Sequence, residues 1–147
     1  MADTRDQLEA ENWVRNEWMP SQYGQKFSKK KVPLTSGGVF EFDAVSDDGT
    51  ILAAISTSEG TTSSGRRASG KVKKIYSDIY FLLLTKDKRR IIIFTEQSMH
   101  ERFQKEKTRG RVDHTIEFVC AELPETLINK LRVSRKVASQ ETGGHEN

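Results

Sequence analysis

The sequence is poor in the residues that build disulfide and histidine-based sites. It has one cysteine, Cys120, so no disulfide can form within one chain. Its three histidines, His100, His114 and His145, show no metal-ligand spacing. No cysteine–histidine or serine–histidine–aspartate set for nucleophilic catalysis can be proposed from these residues. Cys120 lies in an apolar run, which predicts a buried thiol and a reducing, cytoplasmic setting.

Long apolar runs are also missing. No stretch approaches the roughly 18 residues that a membrane span needs, so we expect no membrane partner. The first six residues are polar and acidic, and we expect no signal peptide. The chain of 147 residues, 31% charged and 35% hydrophobic, fits one domain, which we place at 1–137 with a flexible tail at 138–147. A net charge of +3 and a pI of about 9.0 are compatible with nucleic acid.

Residues 39–57 predict a β-hairpin. Asp48-Gly49 is a strong two-residue turn signal between two strand-like runs, Val39–Ser46 and residues 50–57. This turn places Asp43 opposite Ala54 and Glu41 opposite Ser56. Side chains of a strand alternate between its two faces, so one face should carry Glu41, Asp43 and Val45 and the other Phe40, Phe42 and Ala44.

The remaining periodicities predict an alternation of helices and strands. A capping box at Thr4 begins a first helix, which Pro20 and Gly24 should end. Further elements are an edge strand within 26–34, a helix over 68–84, a buried strand within 89–96, a helix to about Lys107 with Met99 and Phe103 inward, a strand over 115–123 and a last helix after Pro124. The predicted class is α/β, with a central mixed sheet of four to five strands flanked by helices.

In element order over residues 4–137, and in the hairpin, the chain resembles the PD-(D/E)XK nuclease superfamily, the fold of many restriction endonucleases. That family carries an Asp on one strand and a Glu-x-Lys triplet on the next. Phe40-Glu41-Phe42-Asp43 followed by residues 51–57 resembles this pattern, with Asp43 at the family Asp. The triplet is degenerate, because its Glu and Lys fall on Ala54 and Ser56 in Ala54-Ile55-Ser56.

The resemblance implies a restriction endonuclease-like fold and, for an active member, a Mg²⁺ ion. A divalent cation polarises the phosphate and activates a water, and Mg²⁺ is usually held by one or two carboxylates. Asp43 and Glu41 are the candidate metal ligands, and both are candidate catalytic residues. Lys71 or Lys74, on the following helix, could replace the missing lysine of the triplet. An ordinary solvated strand face and an ordinary basic helix face are the alternative interpretations.

A second candidate site precedes the helix over 68–84. The loop 56–69 is rich in serine, threonine and glycine and carries two adjacent arginines. Hydroxyls, arginines and helix-start amides suit a phosphate, although the Walker pattern is absent. The candidate nucleic-acid contacts are Ser64, Arg66, Arg67, Lys71 and Lys74. A solvated loop without a ligand is the alternative.

Three functions follow as hypotheses. The first is a nuclease-like domain that has lost standard catalysis and binds DNA, RNA or a partner protein, in a restriction, defence or DNA-processing system. The second is an active metal-dependent endonuclease with a rebuilt site of Glu41, Asp43 and Lys71 or Lys74. The third is a structural or protein-interaction module, including a homodimer. The missing triplet favours the first over the second, and the basic loop favours both over the third.

Overall fold

A computed structural model of the protein describes residues 4–60 and 69–146, and within them a five-stranded mixed sheet forms the centre. The strands, in spatial order, are β1 (Phe27–Pro33), β2 (Val39–Ser46), β3 (Ile51–Ser56), β4 (Arg89–Phe94) and β5 (Ile116–Cys120). β1–β2 and β2–β3 are antiparallel, and β3–β4 and β4–β5 are parallel. The helical segments are α1 (Thr4–Trp13), a π-helical segment (Val14–Trp18), α2 (Met19–Tyr23), α3 (Ser69–Leu83), α4 (Gln97–Thr108) and α5 (Glu125–Glu146). The predicted α/β class, element order and mixed sheet are confirmed.

Helices cover both faces of the sheet. α3 and α4 pack on one face, where Ile79 and Phe103 meet sheet residues such as Ile92. α1, the π-helical segment and α5 pack on the other face, where Val14 of the π-helical segment and Leu131 of α5 share a core with their own set of sheet residues. The run 91–94 of β4 is fully buried because both of its faces are covered, as expected for a central parallel strand. Within the described residues, no helix is long and apolar enough to cross a bilayer.

The hairpin of β2 and β3 has the predicted register but a longer turn. Ala44 pairs with Ala53 and Val45 with Leu52, the register that sets Asp43 opposite Ala54. β2 ends at Ser46 and β3 begins at Ile51, so the loop spans residues 47–50. The Asp48 carboxylate stabilises this loop, since it accepts hydrogen bonds from the Thr50 N–H (3.0 Å) and the Ser46 hydroxyl (2.8 Å). Gly49 has a φ of +74°, and its N–H donates to the Ser46 carbonyl at 2.8 Å. The two-residue turn predicted at Asp48-Gly49 is therefore wrong.

A β-bulge interrupts β2. Ser28 of β1 pairs with Val45 and Lys30 pairs with Phe42, so Asp43 and Ala44 together stand opposite the single residue Lys29. As a result Phe42 and Val45 face the same side, towards α3 and α4, while Ala44 faces α1 and α5. The strict alternation predicted for Phe42, Ala44 and Val45 is wrong, because the extra residue shifts the pattern by one.

Pro20 does not end the first helical region. The chain continues through α2 to Tyr23 and ends at Gly24, which adopts a left-handed conformation with φ +74°. Proline lacks an N–H and crowds the carbonyl four residues earlier. The π-helical segment directly before α2 widens the helix, and Met19 N–H bonds to the Val14 carbonyl. This wider turn accommodates the proline without breaking the helix.

Two further predictions compare with the structure as follows. Cys120 is exposed, so the predicted buried thiol is wrong; it is the last residue of β5, at the edge of the sheet. α5 continues through Glu146, past the domain boundary placed at 137, and the flexibility of 138–147 stays a prediction.

Candidate functional site

Asp43 lies where β2 separates from β3. The backbone pairing of these strands includes Ala44–Ala53 and Val45–Leu52. At Asp43 a side-chain hydrogen bond joins the two strands in place of a backbone one, because Oδ2 accepts the Ile55 N–H at 2.9 Å. The half-buried carboxylate of Asp43 thus satisfies a strand N–H at the gap between the two strands.

Arg15, in the π-helical segment, reaches the same place. It is only 7% exposed. Its Nε donates to the Asp43 carbonyl at 2.6 Å, and Nη1 donates to Asn12 Oδ1 at 2.8 Å. Nη2 forms an ion pair with the Glu11 carboxylate one turn earlier. The guanidinium therefore ties the first helical region to the bulge of β2.

α3 adds a second ion pair. Lys74 Nζ lies 3.1 Å from Asp78 Oδ2, four residues later on the helix. The Lys74 side chain is 66% exposed, whereas that of Asp78 is 11% exposed. Both side chains also interact electrostatically with Asp43 and Glu11. We call the five residues Glu11, Arg15, Asp43, Lys74 and Asp78 the gap site.

The gap site shifts the protonation equilibria of its members. Burial raises the pKa of Asp78, repulsion from Asp43 and Glu11 adds to the rise, and Lys74 opposes it. Partial desolvation lowers the pKa of Lys74, but attraction to Asp78, Asp43 and Glu11 outweighs this, so the net pKa is raised. Lys74 is therefore held firmly as a cation among the three carboxylates.

The gap site contains only part of the predicted catalytic set. The structure places Lys74 within electrostatic range of Asp43 and pairs it directly with Asp78. Glu41 and Lys71 are exposed, and in the described ranges neither side chain forms a hydrogen bond or ion pair. Ala54, opposite Asp43, is 4% exposed and offers no ligand. Among the side chains that the structure describes, those of residues 5–60 and 69–136, no three from histidine, cysteine, aspartate or glutamate are grouped to hold a metal ion.

Sequence reasoning missed Glu11 and Arg15 as site residues. Their i,i+4 spacing on a helix is visible in the sequence and predicts a local ion pair. Nothing local indicates that Arg15 also contacts Asp43, 28 positions away. Asp78 follows Lys71 and Lys74 at helical spacings, which places the three on one polar stripe but does not by itself indicate a site. Its burial depends on how α3 packs against the sheet.

The predicted phosphate loop lies mostly outside the described residues. Ser64, Arg66 and Arg67 fall within 61–68, so their candidate roles stay predictions. The chain entering this loop is anchored to α4. The Gly60 N–H donates to Ser98 Oγ at 2.9 Å, and Arg102 Nη1 donates to the Gly60 carbonyl at 2.9 Å.

A cavity of about 430 Å³ lies at the carboxyl ends of β4 and β5, lined in part by Thr95, His100, Cys120 and Glu122. Although Cys120 is exposed as a residue, partial desolvation of its thiol raises the pKa, and the nearby carboxylates of Glu96 and Glu122 raise it further. The thiol therefore stays protonated, which makes it a poor nucleophile. This cavity does not provide an activated cysteine.

Comparison with known proteins adds no identification: no family model matches the chain, and no significant match was found among the curated proteins or the solved structures.

Proposed function

We propose that the protein is a restriction endonuclease-like domain that has lost standard catalysis and binds nucleic acid. The state of Asp43 is the observation that carries this proposal. Its carboxylate accepts a strand N–H, and the residue opposite it in the hairpin is Ala54, which offers no ligand. The Asp43 carboxylate therefore serves to stabilise the gap between β2 and β3. The other charged residues of the gap site form ion pairs with one another and do not form a cluster of metal ligands.

Unpaired cations at the start of α3 support nucleic acid as the partner. Lys71 and Lys73 are exposed, and within the described parts of the chain neither has an ion-pair or hydrogen-bond partner. The first turn of α3 has no acidic residue to balance them. Cations near a helix N-terminus oppose the helix dipole, at a cost of about 0.3–1 kcal/mol each. A bound phosphate would relieve this repulsion, because it attracts both the lysines and the helix N-terminus.

Fluorescence anisotropy with labelled DNA and RNA at several salt concentrations tests the proposal. Each phosphate contact should steepen the slope of log affinity against log salt by about 0.7–0.9. Charge reversal of Arg66 and Arg67 should flatten that slope by one to two such increments. Lys105→Glu, which reverses one charge in the last turn of α4, is the matched control for each single arginine reversal and should leave the slope unchanged.

The opposite result would have a clear meaning. If the wild type binds neither single- nor double-stranded DNA or RNA at low salt, the nucleic-acid proposal fails. A structural or protein-interaction role, with a partner protein or a second copy of the chain, then replaces it.

One observation favours the second candidate, an active endonuclease with a rebuilt site. Lys74 lies within electrostatic reach of Asp43, next to the further carboxylates Asp78 and Glu11. If this hypothesis is right, Asp43 would hold Mg²⁺, which would activate a water, and Lys74 would supply the positive charge that the degenerate triplet lacks. DNA cleavage in Mg²⁺ or Mn²⁺ that disappears in both Asp43→Ala and Lys74→Ala would replace our first proposal. Loss of cleavage in Lys71→Ala instead would assign that role to Lys71.

A further inference from the structure

β1 is one edge of the sheet, and part of its backbone faces away from β2. In an antiparallel ladder, residues that exchange backbone hydrogen bonds with the neighbouring strand alternate with residues whose N–H and C=O groups point outward. The Leu34 N–H donates to the Gly38 carbonyl at 2.8 Å, so Leu34 faces β2. In steps of two from Leu34, Val32 and Lys30 also face β2. The backbone groups of Lys31 therefore point to the open edge.

The same alternation, counted from the other end of β1, places Lys29 outward. The Asp47 N–H donates to the Lys26 carbonyl at 3.0 Å, so Lys26 and then Ser28 face β2. Pro33 also occupies an outward position, where its missing N–H removes no ladder bond. The two outward lysines lie about 7 Å apart, the spacing at which a further strand forms its hydrogen bonds.

Three consecutive lysines give this edge a positive charge on both faces of the sheet. Lys29, Lys30 and Lys31 are all exposed, and in the part of the chain that the structure describes none of their side chains forms a hydrogen bond or ion pair. Lys30 shares a face with its partner Phe42, on the side of α3, and the other two lysines lie on the opposite face. Glu41 stands opposite Lys31 in the ladder but is not ion-paired with it. The edge therefore keeps a net positive charge.

The open backbone and the lysines together identify the chemistry of the occupant. An extended peptide strand adds to a sheet edge through main-chain hydrogen bonds, whereas nucleic acid has no peptide groups to continue the ladder. A second copy of β1 would bring lysines against lysines, which is how natural proteins keep edge strands from pairing with themselves. A strand with acidic side chains at consecutive positions would instead present carboxylates to the lysines on both faces.

We propose that β1 is a docking edge for an acidic, extended segment of a partner protein, which adds to the sheet as a further strand beside residues 29–31. The inference goes beyond the proposed nucleic-acid function and does not rest on it, because it uses none of the residues assigned to that function. The ladder sets the geometry of the contact, and the lysines select the partner by charge.

Anisotropy of labelled nine-residue peptides with the full chain tests charge and strand addition separately. The acidic probe has three glutamates at its centre, flanked by alternating threonine and valine, and the basic probe has three lysines in their place. The third probe is the acidic one with its central backbone amides N-methylated, which keeps the charge and removes the ladder donors. The wild type should bind the acidic probe at least about tenfold tighter than either of the others.

Amide hydrogen exchange, followed by nuclear magnetic resonance on the isotope-labelled chain, locates the contact. In the free protein, the N–H groups of Lys30 and Val32 should exchange slowly and those of Lys29 and Lys31 quickly. The acidic probe should slow exchange at Lys29 and Lys31 by at least about tenfold, and the methylated probe should not. This measurement needs no variant, so the inference stays testable if a variant fails to fold.

Reversal of the edge charge supplies the matched variant. The triple variant Lys29→Glu, Lys30→Glu, Lys31→Glu should lose the acidic probe and bind the basic probe instead. Its control makes the same charge change at exposed positions outside β1 and should keep the preference for the acidic probe: Lys86→Glu, Lys105→Glu and Lys136→Glu. Circular dichroism shows whether each variant is folded.

Several outcomes would overturn the inference. Equal binding of the methylated and unmethylated acidic probes, or unchanged exchange at Lys29 and Lys31, would show that charge alone attracts the peptide. If no peptide binds and the edge triple flattens the salt dependence of DNA or RNA binding, the lysines contact nucleic acid. If the wild type forms a dimer in analytical ultracentrifugation and its edge amides are protected without peptide, a second copy occupies the edge. Failure of every peptide would leave the nucleic-acid function untouched, because that function is tested through Arg66 and Arg67.

Discussion

Replacement of Arg15 by methionine tests whether the gap site holds the first helical region to the sheet. Methionine approximates the length of the arginine stem but has no donor. The variant would leave the Asp43 carbonyl without its Nε donor at 2.6 Å and the Glu11 carboxylate without its cation. We expect a clear loss of stability without loss of the fold, because the apolar packing of Val14 on Leu131 is untouched.

The expected size follows from the burial of the partners. Removal of one partner of a buried ion pair costs about 3–5 kcal/mol. The Glu11 side chain remains 20% exposed, so water can partly replace the guanidinium and the lower end of this range applies. We therefore expect a loss of about 3 kcal/mol in the free energy of unfolding. At about 2–4 °C per kcal/mol for a chain of this size, the melting temperature should fall by about 6–12 °C.

Urea denaturation followed by tryptophan fluorescence measures this loss directly. Trp13 and Trp18 are half-buried on either side of Arg15 and report on the same segment. A double-mutant cycle with Glu11→Gln isolates the ion pair, since Arg15→Met should cost about 1–2 kcal/mol less once Glu11 is neutral.

A small effect would refute the reasoning. If Arg15→Met costs less than about 1 kcal/mol, the value typical of an exposed pair, the guanidinium does not hold the bulge. A cycle with no coupling would show that Glu11 contributes nothing to the pair. Matching transitions by circular dichroism are required, so that a local change around the tryptophans is not mistaken for global unfolding.

Three further predictions concern other parts of the molecule. Gly60→Ala should lower stability by about 1–3 kcal/mol in thermal melts, because a Cβ there would lie 2.8 Å from the Ser98 backbone oxygen; Gly70→Ala, with no atom within 4 Å, is the control and should not be destabilising. Folding raises the pKa of Asp78 above 3.8, so the protonated carboxyl stabilises the folded wild type at low pH. This stabilisation is lost as the pH rises through the raised pKa of the folded state. The melting temperature of Asp78→Asn relative to wild type should therefore rise from about pH 4 to pH 7, and a difference independent of pH would contradict this. Calorimetry should show weak or absent Mg²⁺ binding, whereas a sub-millimolar affinity lost in Asp43→Ala would establish a metal site.

The sequence predicts those features of the fold that depend on local periodicity. Residues 91–94 form an unbroken apolar run, and the structure buries all four in the central strand β4. Met99 and Phe103 are four residues apart, and both face the core from α4, as predicted. The hairpin register follows from the same kind of local pattern, because Gly49 fixes where the chain reverses.

Features that depend on distant contacts were not predictable in this way. The bulge at Asp43 and Ala44 exists only relative to Lys29 of β1, and no pattern within β2 reveals it. Pro20 by itself indicates the end of a helix. In the structure the wider π-helical segment before it accommodates the proline, and the helix continues. The candidate site shares this difficulty, since Arg15 reaches it from the first helical region. Only Asp43 and Lys74 of the gap site were candidates from the sequence.

The pairing of α1 with α5 determines when the protein can complete its fold during synthesis. Lys130 Nζ lies 3.1 Å from the Glu9 carboxylate, 121 positions away, and Leu131 shares a core with Ala10. At about 5–20 residues per second, a ribosome needs about 6–24 s to make the chain between these partners. During that interval the apolar side of α1 lacks its natural cover. The nascent chain is thus exposed to aggregation and to capture by chaperones until its last helix emerges.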